Sequence, residues 1–274
     1  MKKILGAIAA LAMTVGLAAC GTPVSQGTAN QNQLVVGMEA GYPPFNWTQK
    51  DDSNGAVKIQ GTDQYAGGYD VEIAKRVAKQ LGKELVIVKT EWDGLTPALV
   101  SGKIDAIIAG MSPTEERKAT IDFTDSYYDS QLVLVVKKGS KYANATSLAD
   151  FAGAKVTAQL NTFHYSVIDQ IQGVDKQAAM DNFPAMRVAL QAGTIDAYVS
   201  ELPEAISAQA ANSDFVMVKL TDGFKVSPED IQTAVGVKKD SPLTKQINEA
   251  LKTISSEERQ QIMQEAIKNQ PAAE

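Results

Sequence analysis

Apolar positions along this chain follow two spacings, and the switches between them predict its elements. Short apolar or β-branched runs at residues 34–38, 85–88, 131–137, 155–159, 215–220 and 232–237 read as strands. Over residues 70–81 the spacing lengthens, with Val71, Ala74, Val77, Ala78 and Leu81 on one face of a helix that Gly82 stops. Residues 243–267 are helical by the same pattern and are expected to pack back on the first part of the chain. Strand, helix, strand in this order implies parallel pairing through crossover helices, an α/β fold. The first two strands lead into the loops Glu39-Ala40-Gly41-Tyr42-Pro43-Pro44-Phe45-Asn46-Trp47 and Glu91-Trp92-Asp93-Gly94. Residues 48–67 turn polar and Gly-rich, which reads as a hairpin or a surface excursion.

One unit of the pattern occurs twice. Residues 98–106 match residues 189–197 at six of nine positions without a gap, and each copy reads as a helix end, a Gly stop and a buried strand. The shared grammar of helix, Gly and strand explains part of the likeness; two similarly built lobes explain all of it. On the second reading, residues 131–137 and 232–237 carry the chain between lobes. The expected division is 34–130 with 236–270 in lobe 1, 131–235 in lobe 2, and a hinge of two crossing strands.

The first copy runs into a stretch that points to an anion. After Ile107-Ile108-Ala109-Gly110-Met111, Ser112 stands where a helix N-cap belongs, Pro113 follows at the first helical position, and Glu115 sits three residues after the Ser. A strand feeding such a helix start presents unpaired N–H groups and the positive end of a helix dipole. Arg117 adds a planar fork suited to a carboxylate. An ordinary capped helix with a solvated Arg is the other reading of this stretch.

The N-terminus changes the cellular setting. Met1-Lys2-Lys3, an apolar run over residues 4–19 and then Cys20 make up the parts of an export signal, too short to read as a membrane span. Leu17-Ala18-Ala19-Cys20 resembles a bacterial lipobox, so residues 1–19 are expected to be removed and Cys20 to carry lipid; a plain signal with an incidental Cys is the alternative. Cys20 is the only cysteine, which leaves no disulfide and no Cys-based catalysis or zinc cluster. Residues 20–33 are polar and small and read as a flexible tether. Loss of residues 1–19 leaves 24 basic against 32 acidic residues, about −8, which argues against a nucleic-acid partner.

In open α/β sheets, ligands sit beyond the carboxyl ends of the strands. Applied to both lobes, that rule collects Glu39, Tyr42, Trp92, Ala109, Gly110, Ser112 and Arg117 from the first, and Gln159, Thr162, Phe163, Ser200 and Glu201 from the second. An anion site at Ser112 and Arg117, a carboxylate for an ammonium at Glu201, aromatic walls and a spare carboxylate at Glu39 complement an α-amino acid. His164 is the only histidine, so no multi-His metal site can form; it reads as a helix-end residue near the cleft rim. Trp47 reads as structural. No nucleophile, metal cluster or phosphate loop appears, so no catalytic residue, metal or cofactor is expected.

With these loops in view, the chain resembles the extracellular solute-binding proteins of ABC importers for polar amino acids, over all of its length after the tether. The likeness rests on Glu39-Ala40-Gly41-Tyr42-Pro43-Pro44-Phe45, Gly68-Tyr69-Asp70-Val71-Glu72-Ile73-Ala74, Trp92-Asp93-Gly94-Leu95, residues 111–117 with Ile121-Asp122-Phe123, and Ile195-Asp196-Ala197. It implies a two-lobe periplasmic-binding-protein-like fold of type II. By the same resemblance, Arg117 clamps an α-carboxylate with the Ser112 and Thr162 region. The Gly110 carbonyl and Glu201 hold the α-ammonium, and Tyr42 and Trp92 sandwich the side chain. Many family members carry Asp at the position of Glu201 and Gly at that of Asn161.

An acid at Glu39 between aromatic faces favours a cationic side chain, arginine, lysine or histidine, through an ion pair and cation–π contact. Glutamine-binding members also carry an acid there, so glutamine or another neutral polar amino acid stays open, with Gln159 the other side-chain reader. The implied partners are a free L-amino acid and a membrane permease powered by ATP, with the protein lipid-anchored through Cys20 on the outer face of the bacterial cell membrane. A ligand-sensing domain acting through a separate partner, and a dehydratase-like enzyme with Glu39 and Glu201 as an acid/base pair, are the competing classes.

Overall fold

In the computed structural model, which describes residues 32–271, the apolar runs become the strands of two five-stranded sheets. The expected signal, Cys20 and nearly all of the tether lie outside the described residues. Gln33, expected as the tether's last residue, already belongs to β1 (Gln33–Met38). The polar excursion is a small antiparallel sheet of β2 (Gly41–Tyr42), β3 (Asn46–Gln49), β4 (Val57–Lys58) and β5 (Tyr65–Gly67). Helix α1 (Tyr69–Gln80), β6 (Glu84–Lys89), α2 (Trp92–Ser101), β7 (Ala106–Ile107), α3 (Glu115–Lys118) and β8 (Asp122–Asp129) follow.

The chain then builds the second sheet. Its elements are β9 (Leu132–Lys137), β10 (Lys155–Thr157), α4 (Phe163–Val167), β11 (Asp175–Lys176), α5 (Phe183–Ala192), β12 (Ala197–Glu201), α6 (Leu202–Ala211) and β13 (Phe215–Val218). It returns through β14 (Gln232–Val237) and ends in α7 (Leu243–Lys252) and α8 (Ser256–Asn269).

The two sheets have one plan. Lobe 1 runs β6-β1-β7-β14-β8 and lobe 2 runs β11-β10-β12-β9-β13. In each, three parallel strands are followed by an antiparallel strand that has just come from the other lobe. The molecule is therefore a mixed α/β two-lobe periplasmic-binding-protein fold.

The repeat has a structural counterpart. Gly102 (φ 79°) and Gly193 (φ 75°) end α2 and α5 in the left-handed region that glycine enters without a Cβ clash. Asp105 then bonds Val35 twice, by its N–H to the carbonyl (2.8 Å) and by its carboxylate to the N–H (2.9 Å). Asp196 does the same to Lys155, at 2.8 and 2.9 Å. Each Asp thus satisfies the backbone at the start of its sheet's central parallel strand, β1 or β10.

Two expectations are corrected here. Residues 131–137 and 232–237 are not the hinge but interior sheet strands. The expected boundary at 235/236 falls inside β14, which pairs with β7 and β8 and belongs to lobe 1 from Gln232 onward. An apolar run with both edges unpaired would leave buried backbone groups unsatisfied, so such a run belongs inside a sheet. The chain crosses instead at Ser130-Gln131 and through the turn Pro228–Ile231, tied side by side by the Ser130 N–H to the Ile231 carbonyl (2.8 Å). The C-terminal tail is also not confined to lobe 1. Helix α8 packs on α1 and on α6 of lobe 2, and beyond it the Gln270 amide donates to the Ser207 carbonyl at 3.1 Å.

Candidate functional site

Loops at the carboxyl ends of the parallel strands from both lobes meet around a small pocket. Its walls are Tyr42, Trp92, Gly110, Ser112 and Arg117 from lobe 1, and Gln159, Thr162, Phe163, His164 and Phe183 from lobe 2. The free volume between them is about 10 Å³, room for about one water, so the walls are nearly in contact and a ligand would need them to move apart.

Arg117 occupies one end. Its Nη1 donates to the Ser112 carbonyl (3.0 Å) and its Nη2 to the Asn161 carbonyl of the other lobe (3.2 Å), with the guanidinium 5.0 Å from the centre of the Trp92 ring. Burial pulls it down to about 10, still far enough above neutral pH to keep it cationic. Among the described residues no carboxylate bonds this cation. Trp92 Nε1 reaches the same Asn161 carbonyl at 3.4 Å, and Asn161 Nδ2 donates to Asp93 at 2.9 Å. Asn161 has φ 54°, a left-handed conformation that Asn tolerates better than most residues.

The helix start in this region differs from the expectation. Thr114, not Ser112, is the N-cap, accepting from the Arg117 N–H (3.4 Å), and α3 is a single turn. Glu115 and Glu116 both fall in the first turn from Thr114, where the dipole favours them, so the start slides two residues. One turn has little dipole, and the positive charge here comes from Arg117. Trp92, expected in a loop, is the first residue of α2.

Two carboxylates stand one contact behind the pocket wall. Glu39 accepts from Gln159 Nε2 at 3.0 Å across the lobes, while its other oxygen is buried without a partner. Burial raises Glu39 to about 7. Glu201, at the end of β12, accepts from the Tyr42 hydroxyl at 3.2 Å, and its other oxygen is also unpartnered. That oxygen lies 3.3 Å from His164 Nε2, without the alignment of a hydrogen bond. Ala109 is buried just after β7, behind the wall. Ser200, also collected as a candidate, is turned away and donates to Glu204. Thr162 precedes α4 and donates its hydroxyl to the Gln159 carbonyl at 2.7 Å.

Tyr42 and Trp92, expected to sandwich a ligand side chain, each lie against another aromatic or cationic side chain of the pocket wall. Tyr42 stacks on Phe183 of lobe 2, with centroids 4.4 Å apart and planes 10° apart, and Trp92 is covered by Arg117.

Gly110 has a steric reason to be glycine. Its φ is 62°, a Cβ there would stand 2.7 Å from Tyr42 Cε1, and its N–H donates to the Tyr127 hydroxyl at 3.1 Å. Tyr127 in turn donates to the buried Asp70 at 2.7 Å. Gly110→Ala should cost about 2–3 kcal/mol from backbone strain and displacement of the Tyr42 ring, read as a lower denaturation midpoint in urea. A wild-type midpoint would remove the steric argument.

The comparison with known proteins meets this geometry. A sequence model of the bacterial extracellular solute-binding proteins, family 3, matches residues 34–269. The chain belongs to that family. The arginine-binding extracellular protein ArtP of Bacillus subtilis is 30% identical to this solute-binding protein, covering 92% of each chain. The ABC transporter glutamine-binding protein GlnH of the same organism is 31% identical, covering 99% of this chain and 100% of the relative. Among solved structures, that of the amino acid ABC transporter substrate-binding protein AbpA of Streptococcus pneumoniae bound to L-arginine matches with a TM-score of 0.74. It is 27% identical and covers 87% of this chain and 95% of the other.

Sequence reasoning missed Phe183 of the solute-binding protein as a wall and placed His164 only at the rim. Phe183 sits between the N-cap Asn182 and Pro184, a helix start like many others, so nothing local marks it. His164 is buried with both ring nitrogens unpartnered, which only its packing reveals.

Proposed function

We propose that this solute-binding protein captures a free L-amino acid with a cationic side chain, arginine first among them, and delivers it to an ABC-type permease without chemical turnover. The observation that carries this reading is the order of charges. Among the described residues, Glu201 and Glu39 each keep one buried oxygen without a hydrogen-bond partner, and Arg117 has no carboxylate of its own. A basic amino acid offers the complement: ammonium to Glu201, carboxylate to Arg117, cationic side chain to Glu39. The Tyr42 hydroxyl and the Gln159 amide, which cover the two acids, would shift aside or share them.

Bonds from Asn161, Gln159 and Glu201 to the opposite lobe supply the contacts by which a ligand favours the closed arrangement. Cleavage before Cys20 and lipid attachment there would hold the protein at the outer face of the membrane. Arginine-bound AbpA and the arginine-binding ArtP support the ligand class.

A second reading, glutamine, is favoured by the burial of Glu39. A carboxyl held up to about 7 is partly protonated at neutral pH and can donate to an amide oxygen. Isothermal titration against the twenty amino acids should give arginine as the tightest ligand, with the other cationic side chains next. Glutamine binding more tightly than every cationic amino acid would reverse the order of the two readings.

A further inference from the structure

Tyr42 and Phe183 form a stack that crosses between the lobes. Their ring centroids are 4.4 Å apart and their planes 10° apart, and both residues line the inner pocket. Each ring is fixed within its own lobe. Tyr42 is backed by Phe45, with centroids 4.8 Å apart, and by Gly110, where a Cβ would already stand 2.7 Å from the ring. Phe183 is buried, meets the Tyr198 ring edge to face with centroids 6.2 Å apart, and is set by the Asn182 cap and Pro184 at the start of α5. When the lobes part, two nearly parallel faces therefore separate as a flat slot. A planar group lying between them at ordinary contact needs centroids about 7 Å apart, about 3 Å more than they are now. The slot also runs the way the proposed ligand needs. At one end the Tyr42 hydroxyl reaches Glu201 at 3.2 Å, and at the other the Tyr42 backbone belongs to the loop that begins at Glu39. On the Phe183 side, the Asp181 carbonyl two residues earlier holds Gln159, which bonds Glu39.

We propose that Tyr42 and Phe183 are the two walls of this slot in the ligand complex and that they select a planar end group, so that the protein prefers arginine to lysine. The inference rests on the reading of the ligand as a basic amino acid held between Glu201 and Glu39, which by itself admits both side chains, since each carries one positive charge. What separates them is shape and hydration. A guanidinium is flat and weakly hydrated, and it can lie on an aromatic face while its edge donates to a carboxylate. A lysine ammonium is a compact, strongly hydrated point charge that fills a flat slot poorly. Trp92, by contrast, packs against Arg117, at the end of the pocket that meets the carboxylate every amino acid shares. Because the slot has one wall from each lobe, a side chain seated in it touches both and favours closure.

The test is isothermal titration of L-arginine and L-lysine into the wild type, Phe183→Leu, Phe183→Met and Trp92→Leu, with thermal melting to confirm folding. The wild type is expected to bind arginine at least about tenfold more tightly than lysine. Either Phe183 variant is expected to lower that ratio at least about fivefold by weakening arginine, whereas W92L weakens both ligands alike. Methionine fills irregular gaps in a core without offering a flat face, so F183M carries the test if F183L does not fold. Lysine within about threefold of arginine in the wild type would overturn the selection whatever the variants do. A ratio within about twofold of the wild type in a folded Phe183 variant would overturn the slot, as would a loss of arginine's advantage in W92L alone. If neither arginine nor lysine binds the wild type, the reading of a basic ligand fails and this inference with it, a result that the wild-type titration tells apart from the others.

Discussion

Arg117→Ala should weaken amino acid binding at least about 100-fold. Among the described residues the Arg117 fork bonds two backbone carbonyls, from Ser112 and Asn161, and lies over Trp92. In the proposed reading it is the cation that meets the ligand carboxylate. Removing one partner of a buried ion pair leaves the other charge desolvated and unpaired, at a cost of about 3–5 kcal/mol, or between two and four powers of ten in affinity. Arg117→Lys keeps the charge but not the planar fork, and should recover only part of the loss. Half-buried Arg117 contributes little to the core, so thermal melting of R117A should stay near that of the wild type. Isothermal titration decides the matter: an affinity within about threefold of the wild type would remove Arg117 from the carboxylate site.

Arginine affinity should rise with pH from about 6 to 8, and binding at pH 7 should release close to half a proton. Burial raises Glu39 to about 7, so near neutrality about half of the molecules carry it protonated. A guanidinium selects the ionised form. Below pH 7 each unit of acidification should therefore weaken arginine by up to about tenfold, and above pH 8 the dependence should level off. Titration at pH 7 in two buffers of different ionisation enthalpy measures the released proton directly. Glutamine should show no such rise, and if protonated Glu39 donates to its amide the slope reverses.

Glu39→Gln should cost arginine about 100-fold, leave glutamine binding in place and abolish the pH slope. That last point matters because Asp70, which bonds Tyr127 beneath Gly110, is also held up to about 7 by burial and titrates in the same range. A slope that survives in E39Q would transfer the pH dependence to Asp70 and count against a cationic ligand at Glu39.

Much of this site was legible in the chain because its residues follow sheet strands at recognisable stops. Tyr42, Trp92, Gly110, Ser112, Arg117, Gln159, Thr162 and Phe163 were all collected from the loops after strands, and all line the inner pocket. The helix start at Ser112 was misplaced because Ser112 and Thr114 offer the same local capping chemistry, and only the competition for the first turn separates them. Phe183 carries no local mark at all. Its role comes from stacking on Tyr42, 141 residues away in the chain.

The sequence by itself determined the alternation of strands and helices, the repeated unit that ends in Asp105 and Asp196, and the residue types able to meet an amino acid. Those depend on backbone sterics and on spacing over a few residues, which any local stretch carries. Only the tertiary structure decided that the two apolar runs are sheet interiors rather than hinges, that the tail reaches α6, and that Glu39 and Glu201 stand one contact behind the pocket wall. Each of these is set by which groups remain unpaired when distant segments pack together, and burial without a partner is a property of the assembled lobes.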